Sequence, residues 1–152
     1  FSYKKGSEEI PKIAEVCQHL TAMGHDVLML QPDDDGKVAQ EYLEKIREGG
    51  VLLSVCSSDY AESDGTDYNS YFELKFAYDN EIPVWPLRMQ NIYPPIPAWG
   101  SKNSKDPSGD GPAMIALAIG SRSKSLQYLD CRGKTALEIA EAISKDLEKP
   151  KP

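Results

Sequence analysis

Long apolar runs are missing from this chain of 152 residues. A membrane-spanning helix needs about 18 or more consecutive apolar residues, and the longest stretch, from Pro112 to Ile119, falls far short of that. The N-terminus goes straight from Phe1 into a polar segment, so no signal peptide is expected. Cysteine is scarce as well: Cys17, Cys56 and Cys131 are odd in number, far apart and never in C-x-x-C spacing. That excludes a disulfide framework and fits a reducing, cytoplasmic compartment. The two histidines, His19 and His25, have no partner at metal spacing, so no zinc site is expected. Cationic clusters are absent too. With a net charge of -7, the chain is poorly suited to nucleic acid, whose phosphates are neutralised by grouped Lys and Arg.

What is present is an alternation of short apolar runs with amphipathic segments, the pattern of a parallel α/β sheet. Strands are predicted at residues 1–4, 26–30, 51–56, 82–87 and 126–130. The near-continuous apolar run at 26–30 suits a strand covered on both faces, and the run at 51–56 is the plainest strand of the five. Between the strands, Ser7 is the predicted cap of a helix carrying Ile10, Ile13, Cys17 and Leu20. Val38, Ala39, Tyr42, Leu43 and Ile46 mark a second helix, and residues 68–80 a third. Residues 91–112 read as loop, 113–119 as a short helix, and Thr135 with Glu138 as a capping box opening the last helix. The fold class expected is a single α/β domain over residues 1–152, a five-stranded parallel doubly wound sheet of flavodoxin-like topology with helices on both faces.

Ligands of such sheets bind outside the carboxyl ends of the strands. Several familiar sites are missing there. The first loop, Lys4 to Glu9, has a single glycine, which excludes a dinucleotide fingerprint and a flavodoxin phosphate cradle. The third strand ends in Val55, Cys56 and Ser57, with no phosphorylatable aspartate, and no G-x-S-x-G elbow occurs.

Four segments in order carry a resemblance. They are Phe1-Ser2-Tyr3-Lys4-Lys5; Val51 to Cys56 running into Ser57-Ser58-Asp59-Tyr60-Ala61-Glu62-Ser63; Ser70-Tyr71-Phe72-Glu73-Leu74-Lys75-Phe76-Ala77; and Ile82-Pro83-Val84-Trp85-Pro86-Leu87. Together they resemble the TIR (Toll/interleukin receptor) domain family: its F-[IL]-S-[YF] strand, its S-x-x-Y-x-x-S continuation, its W/C-x-x-E-L-x-x-A helix and its I-P-[IV] strand. Ser70 departs from the third motif's first residue, and residues 91–124 are longer and richer in Pro and Gly than the family pattern.

The resemblance implies either an adaptor that signals by self-association or an enzyme that cleaves NAD+ at the nicotinamide–ribose bond. The enzyme takes NAD+ as substrate, needs no other cofactor and depends on one helix glutamate, whose position Glu73 occupies. A nucleoside deoxyribosyltransferase shares the topology and also uses a helix glutamate. The bland alternative for Glu73 is a surface pair with Lys75 or Arg88. Candidate substrate contacts are Tyr3, Lys4 and Lys5 at the end of the first strand, Asp34 in the acidic loop after the second, and Tyr60 and Tyr68 as stacking platforms. Solvated lysines, a solvated turn and packing tyrosines are the competing readings of these positions.

Overall fold

The computed structural model describes residues 1–30, 34, 36–65, 69–120 and 128–148. Among the described residues, three strands pair in parallel in the order β1 (Leu52–Cys56), β2 (Val84–Arg88), β3 (Leu129–Asp130). Leu52 faces Val84 and Cys56 faces Arg88 across the first pair, and Leu87 faces Leu129 across the second. Parallel neighbours require crossovers. The first is made by α3 (Ser70–Asp79), and the second contains α4 (Asp110–Ile115) with a π-helical continuation, Ala116–Gly120. The class is α/β, as expected.

The first predicted strand is reduced to one parallel bridge, Ser2 to Ser54. It is closed by Ser2 N donating to the Leu53 carbonyl and Val55 N to the Ser2 carbonyl, each at 2.8 Å. Residues 26–30 lie on the far side of this segment but form no strand. A ladder needs successive backbone bonds. Here the Phe1 ammonium donates to the Leu28 carbonyl at 2.7 Å, and the Tyr3 hydroxyl, a side-chain group, takes the Leu30 carbonyl. Residues 121–127, which hold the start of the fifth predicted strand as well as Arg122 and Lys124, lie outside the described residues.

Successive strand residues point to opposite faces, and both faces of β1 are covered. Leu52 and Cys56 pack with Tyr42, Leu43 and Ile46 of α2 (Gly36–Arg47) and with Leu74 and Ala77 of α3. Leu53 and Val55 pack with Ile13, Val16 and Leu20 of α1 (Ile10–Ala22) and Ile139, Ala140 and Ile143 of α5 (Ala136–Leu147). Phe1 and Tyr3 join this second cluster. Ser2, between them, and Ser54 are therefore turned toward the α2 and α3 side.

Local chemistry explains the helix starts. The capping box of α5 forms: Glu138 N donates to Thr135 Oγ1 at 3.2 Å, and Thr135 N to Glu138 Oε1 at 3.0 Å. Asn69 caps α3, accepting from Phe72 N at 2.8 Å. The predicted cap at Ser7 is corrected. Its Oγ accepts from Glu9 N at 3.2 Å, but the helix begins at Ile10, with Pro11 in the first turn where an amide would lack a partner anyway. The short helix predicted at 113–119 starts earlier, at Asp110, because Asp106 serves its first amides. The Asp106 carboxylate is buried and accepts from Gly109 N at 3.0 Å, Asp110 N at 2.7 Å and Gly111 N at 2.9 Å.

Candidate functional site

Asn69 sets the first turn of α3, and the first acidic residue in that turn is Glu73. A helix that follows β1 in a doubly wound sheet starts near the strand's carboxyl end. Glu73 is turned inward against the serine side of the sheet, reaching Ser2 beside the middle of β1, and is only 5% exposed. Neither expected surface partner reaches it. Lys75 pairs with Asp79 at 2.6 Å. Arg88 donates to the Gln90 and Asn91 carbonyls and to the Tyr128 hydroxyl.

The carboxyl is met from below by hydroxyl groups. Ser2 Oγ donates to Glu73 Oε1 at 3.0 Å. The Tyr60 hydroxyl lies 2.8 Å from Ser2 Oγ and 2.9 Å from Ser54 Oγ. A hydroxyl has one proton to donate. With the Ser2 proton given to Glu73, Tyr60 must donate to Ser2 and accept from Ser54. With Glu73 ionised the direction of the chain is therefore fixed: Ser54 to Tyr60 to Ser2 to Glu73. Tyr42 of α2 stands beside the carboxyl, its hydroxyl donating to the Phe1 carbonyl at 2.9 Å.

Burial pushes the Glu73 carboxyl up to about 7, against the Phe1 ammonium, the hydrogen bond from Ser2, the neighbouring Tyr42 hydroxyl and the charge of Lys5, all of which favour ionisation. Desolvation dominates because a buried carboxylate loses more hydration than the hydroxyl groups around it restore. The same burial raises the Tyr60 and Tyr42 hydroxyls, so both stay protonated donors at neutral pH.

The structure redistributes the other predicted contacts. Tyr60 is fully buried, so its ring offers no face to a base, and the stacking role is corrected to one beneath the carboxyl. Tyr3 is 5% exposed and belongs to the core on the α1 and α5 side, so it does not face a crevice. Its hydroxyl is pushed up to about 12 by burial and by the charges of Glu73 and Asp34. Lys4 is held by Asp64 at 2.8 Å, and Asn69 Nδ2 donates to the other oxygen of Asp64 at 3.2 Å. Lys4 is thus already engaged, whereas Lys5 is half-buried and its charge acts on Glu73. Asp34 is exposed. Tyr68, Asp33 and Asp35 lie outside the described residues.

Sequence reasoning missed Ser2, Ser54 and Tyr42 as parts of the site. A serine in the middle of a buried apolar strand was a usable signal, since a buried hydroxyl needs a partner. Tyr42 gave none, because it falls at helical spacing with Ala39 and Ile46 and reads as packing.

Two cavities open elsewhere among the described residues. One, of about 490 Å³, lies beyond the carboxyl end of β2 and is lined by Met89, Gln90, Asn91, Ile92, Arg132 and Gly133. The other, of about 360 Å³, is at the opposite end of the sheet, beside Phe1, His25, Asp26 and Gly50. Glu73 lines neither. Among the described residues, no group of three or more His, Cys, Asp or Glu is placed to hold a metal ion, and no helix is long and apolar enough to cross a membrane. No protein family matches the chain, and neither a curated protein nor a solved structure is measurably similar to it.

Proposed function

We propose that this chain is a TIR-type NAD+ glycohydrolase or cyclase in which Glu73 is the catalytic carboxylate. On this reading the three paired strands are the core of the family's five-stranded sheet, with the Ser2 bridge and residues 26–30 standing where its first two strands would lie. The observation that carries the proposal is a single inward-turned glutamate in the first turn of α3, bonded by Ser2 and raised by burial to about 7.

One carboxylate is chemically sufficient. The nicotinamide of NAD+ is a pyridinium cation. When its bond to the ribose C1′ breaks, the electron pair goes to the ring nitrogen and the base leaves neutral, without a general acid. A sugar leaving group on oxygen needs a carboxylate pair instead. The positive charge develops on the ribose, where an ionised Glu73 in a poorly hydrated site stabilises it by several kcal/mol. Water then adds at C1′ and releases a proton, giving ADP-ribose, or a ring nitrogen of the adenine adds to give a cyclic product.

Because Glu73 is 5% exposed, the carboxyl must be uncovered before it meets a ribose. Self-association that rearranges the residues over it supplies such a step. The same burial also favours a second reading, an assembly module with no turnover. Both are tested by incubating concentrated protein, fused to an oligomeriser, with NAD+ and following nicotinamide and ADP-ribose by mass spectrometry. The wild type is expected to release nicotinamide, and Glu73→Gln to lose at least about a hundredfold in rate while keeping its circular dichroism spectrum. Equal turnover in the variant removes the assignment. Silence in both, with assembly intact, favours the adaptor. Base exchange between nucleosides without NAD+ cleavage assigns a deoxyribosyltransferase.

A further inference from the structure

We propose that Tyr60 is a positioning residue for Glu73: anchored by Ser54, its hydroxyl fixes the Ser2 proton on the carboxyl and so holds one oxygen of Glu73 in a single orientation. Where turnover is concerned the inference rests on the reading of Glu73 as the reacting group; the geometry behind it does not.

Three features separate this chain from ordinary packing. First, every member is out of solvent: Ser2, Ser54 and Tyr60 are each 0% exposed. Water therefore cannot take the place of a missing partner, and each hydroxyl must find one inside. Second, with Glu73 ionised the proton direction is forced, since the carboxylate at one end then accepts only and each hydroxyl donates once. In that state, reversing any one link breaks another. Third, the members come from four separate places in the fold: the N-terminal segment, β1, the turn after β1 and α3. A contact of that kind ties the helix bearing Glu73 to the sheet, and a bare apolar contact would do so without choosing an orientation for the carboxyl.

The backbone around Tyr60 supports a held position. Tyr60 N donates to the Ser57 carbonyl at 3.2 Å. The next residue, Ala61, has φ 66, a left-handed conformation that an alanine adopts only against a steric cost. Its amide is bonded by Ser70 Oγ at 2.9 Å, at the start of α3. The turn carrying Tyr60 is thus fastened to the helix carrying Glu73 by a second, independent bond.

Hydrogen bonds in series polarise one another, by about 10–30% per link. Loss of the Tyr60 hydroxyl therefore weakens the Ser2 bond to Glu73 and favours the protonated carboxyl. The other charged or titratable groups facing Glu73 are the Phe1 ammonium, Tyr3 and Lys5 from the N-terminal segment and Tyr42 from α2. None of them is altered by the substitution.

The test is Tyr60→Phe, which removes one oxygen and keeps the ring, read first by carboxyl-13C NMR titration of glutamate-labelled protein, with Glu73→Gln identifying the Glu73 signal. The expected result is an upward shift of the Glu73 midpoint by a few tenths of a unit, and by about one unit in Ser2→Ala. Ser54→Ala, which removes the anchor, should shift it in the same direction, and it serves if Tyr60→Phe does not fold. In turnover, the acid limb should move by the same amount and kcat fall with KM unchanged. A folded Tyr60→Phe with the wild-type midpoint overturns the proposal. The two readings fail separately. A moved midpoint in a protein that leaves NAD+ intact sustains the relay and removes the hydrolase. NAD+ cleavage with an unmoved midpoint does the reverse.

Discussion

Glu73 ionises against its surroundings, and the cost of that falls on the fold. Its carboxyl titrates at about 7 in the folded chain against 4.5 for a free glutamate. Between those two values the folded chain keeps a proton that the unfolded chain has released. Stability therefore falls as pH rises through that window and is flat above it, by roughly 3 kcal/mol in all. Glu73→Gln keeps the neutral shape and removes the charge. We expect its melting temperature to exceed that of the wild type by about 5 °C or more at pH 8, with the gain shrinking toward zero near pH 4.5. A gain independent of pH would mean that ionisation of this carboxyl is not its source. On the proposed chemistry the ionised form is the active one, so turnover should rise through the range in which stability declines.

At the scale of elements, the tightest fit lies where the first turn of α4 meets the turn that carries Tyr60. A Cβ on Gly111 would stand 2.8 Å from the Ala61 carbonyl oxygen and 3.3 Å from Asp106 Oδ2. Neither neighbour is free to retreat. Ala61 sits in a left-handed turn bonded to Ser70, and Asp106 accepts three amides. Gly111→Ala should therefore lower the denaturation midpoint by an amount worth about 1–3 kcal/mol with an unchanged slope, whereas an unaltered midpoint would show that α4 shifts freely. These elements differ in how far they could be read beforehand. The capping box of α5 and the apolar run of β1 were legible because they depend on residues a few positions apart. Ser7 was misleading for the same reason: its hydroxyl does bond a nearby amide, but Pro11 fits the first turn of a helix begun at Ile10. Asp106 as the cap of α4 was not legible, since its amides follow across a proline and a glycine rather than in a standard cap.

For the molecule as a whole, a chain of net charge -7 must approach a copy of itself against repulsion. If assembly uncovers Glu73, NAD+ turnover per chain should rise with protein concentration. It should also rise as salt is raised from about 20 to 150 mM, where screening shortens the reach of that repulsion to roughly 8 Å. Turnover per chain that is flat in both variables would place the opening step within a single copy.

Composition, spacing and order were enough to determine the α/β class, the strand β1 and the helix bearing Glu73, because each follows from periodicity or from contacts within a turn or two, whereas the choice of that glutamate came from the family resemblance and is a proposal. The tertiary structure alone decided that Tyr3 and Tyr60 are interior, that Lys4 belongs to Asp64, and that Ser2 meets Glu73 across 71 residues of chain and Tyr60 across 58. The side of a sheet on which a residue lies, and the partner that satisfies a buried hydroxyl, are set by how layers stack. Stacking is a property of the packed molecule and of no single segment within it.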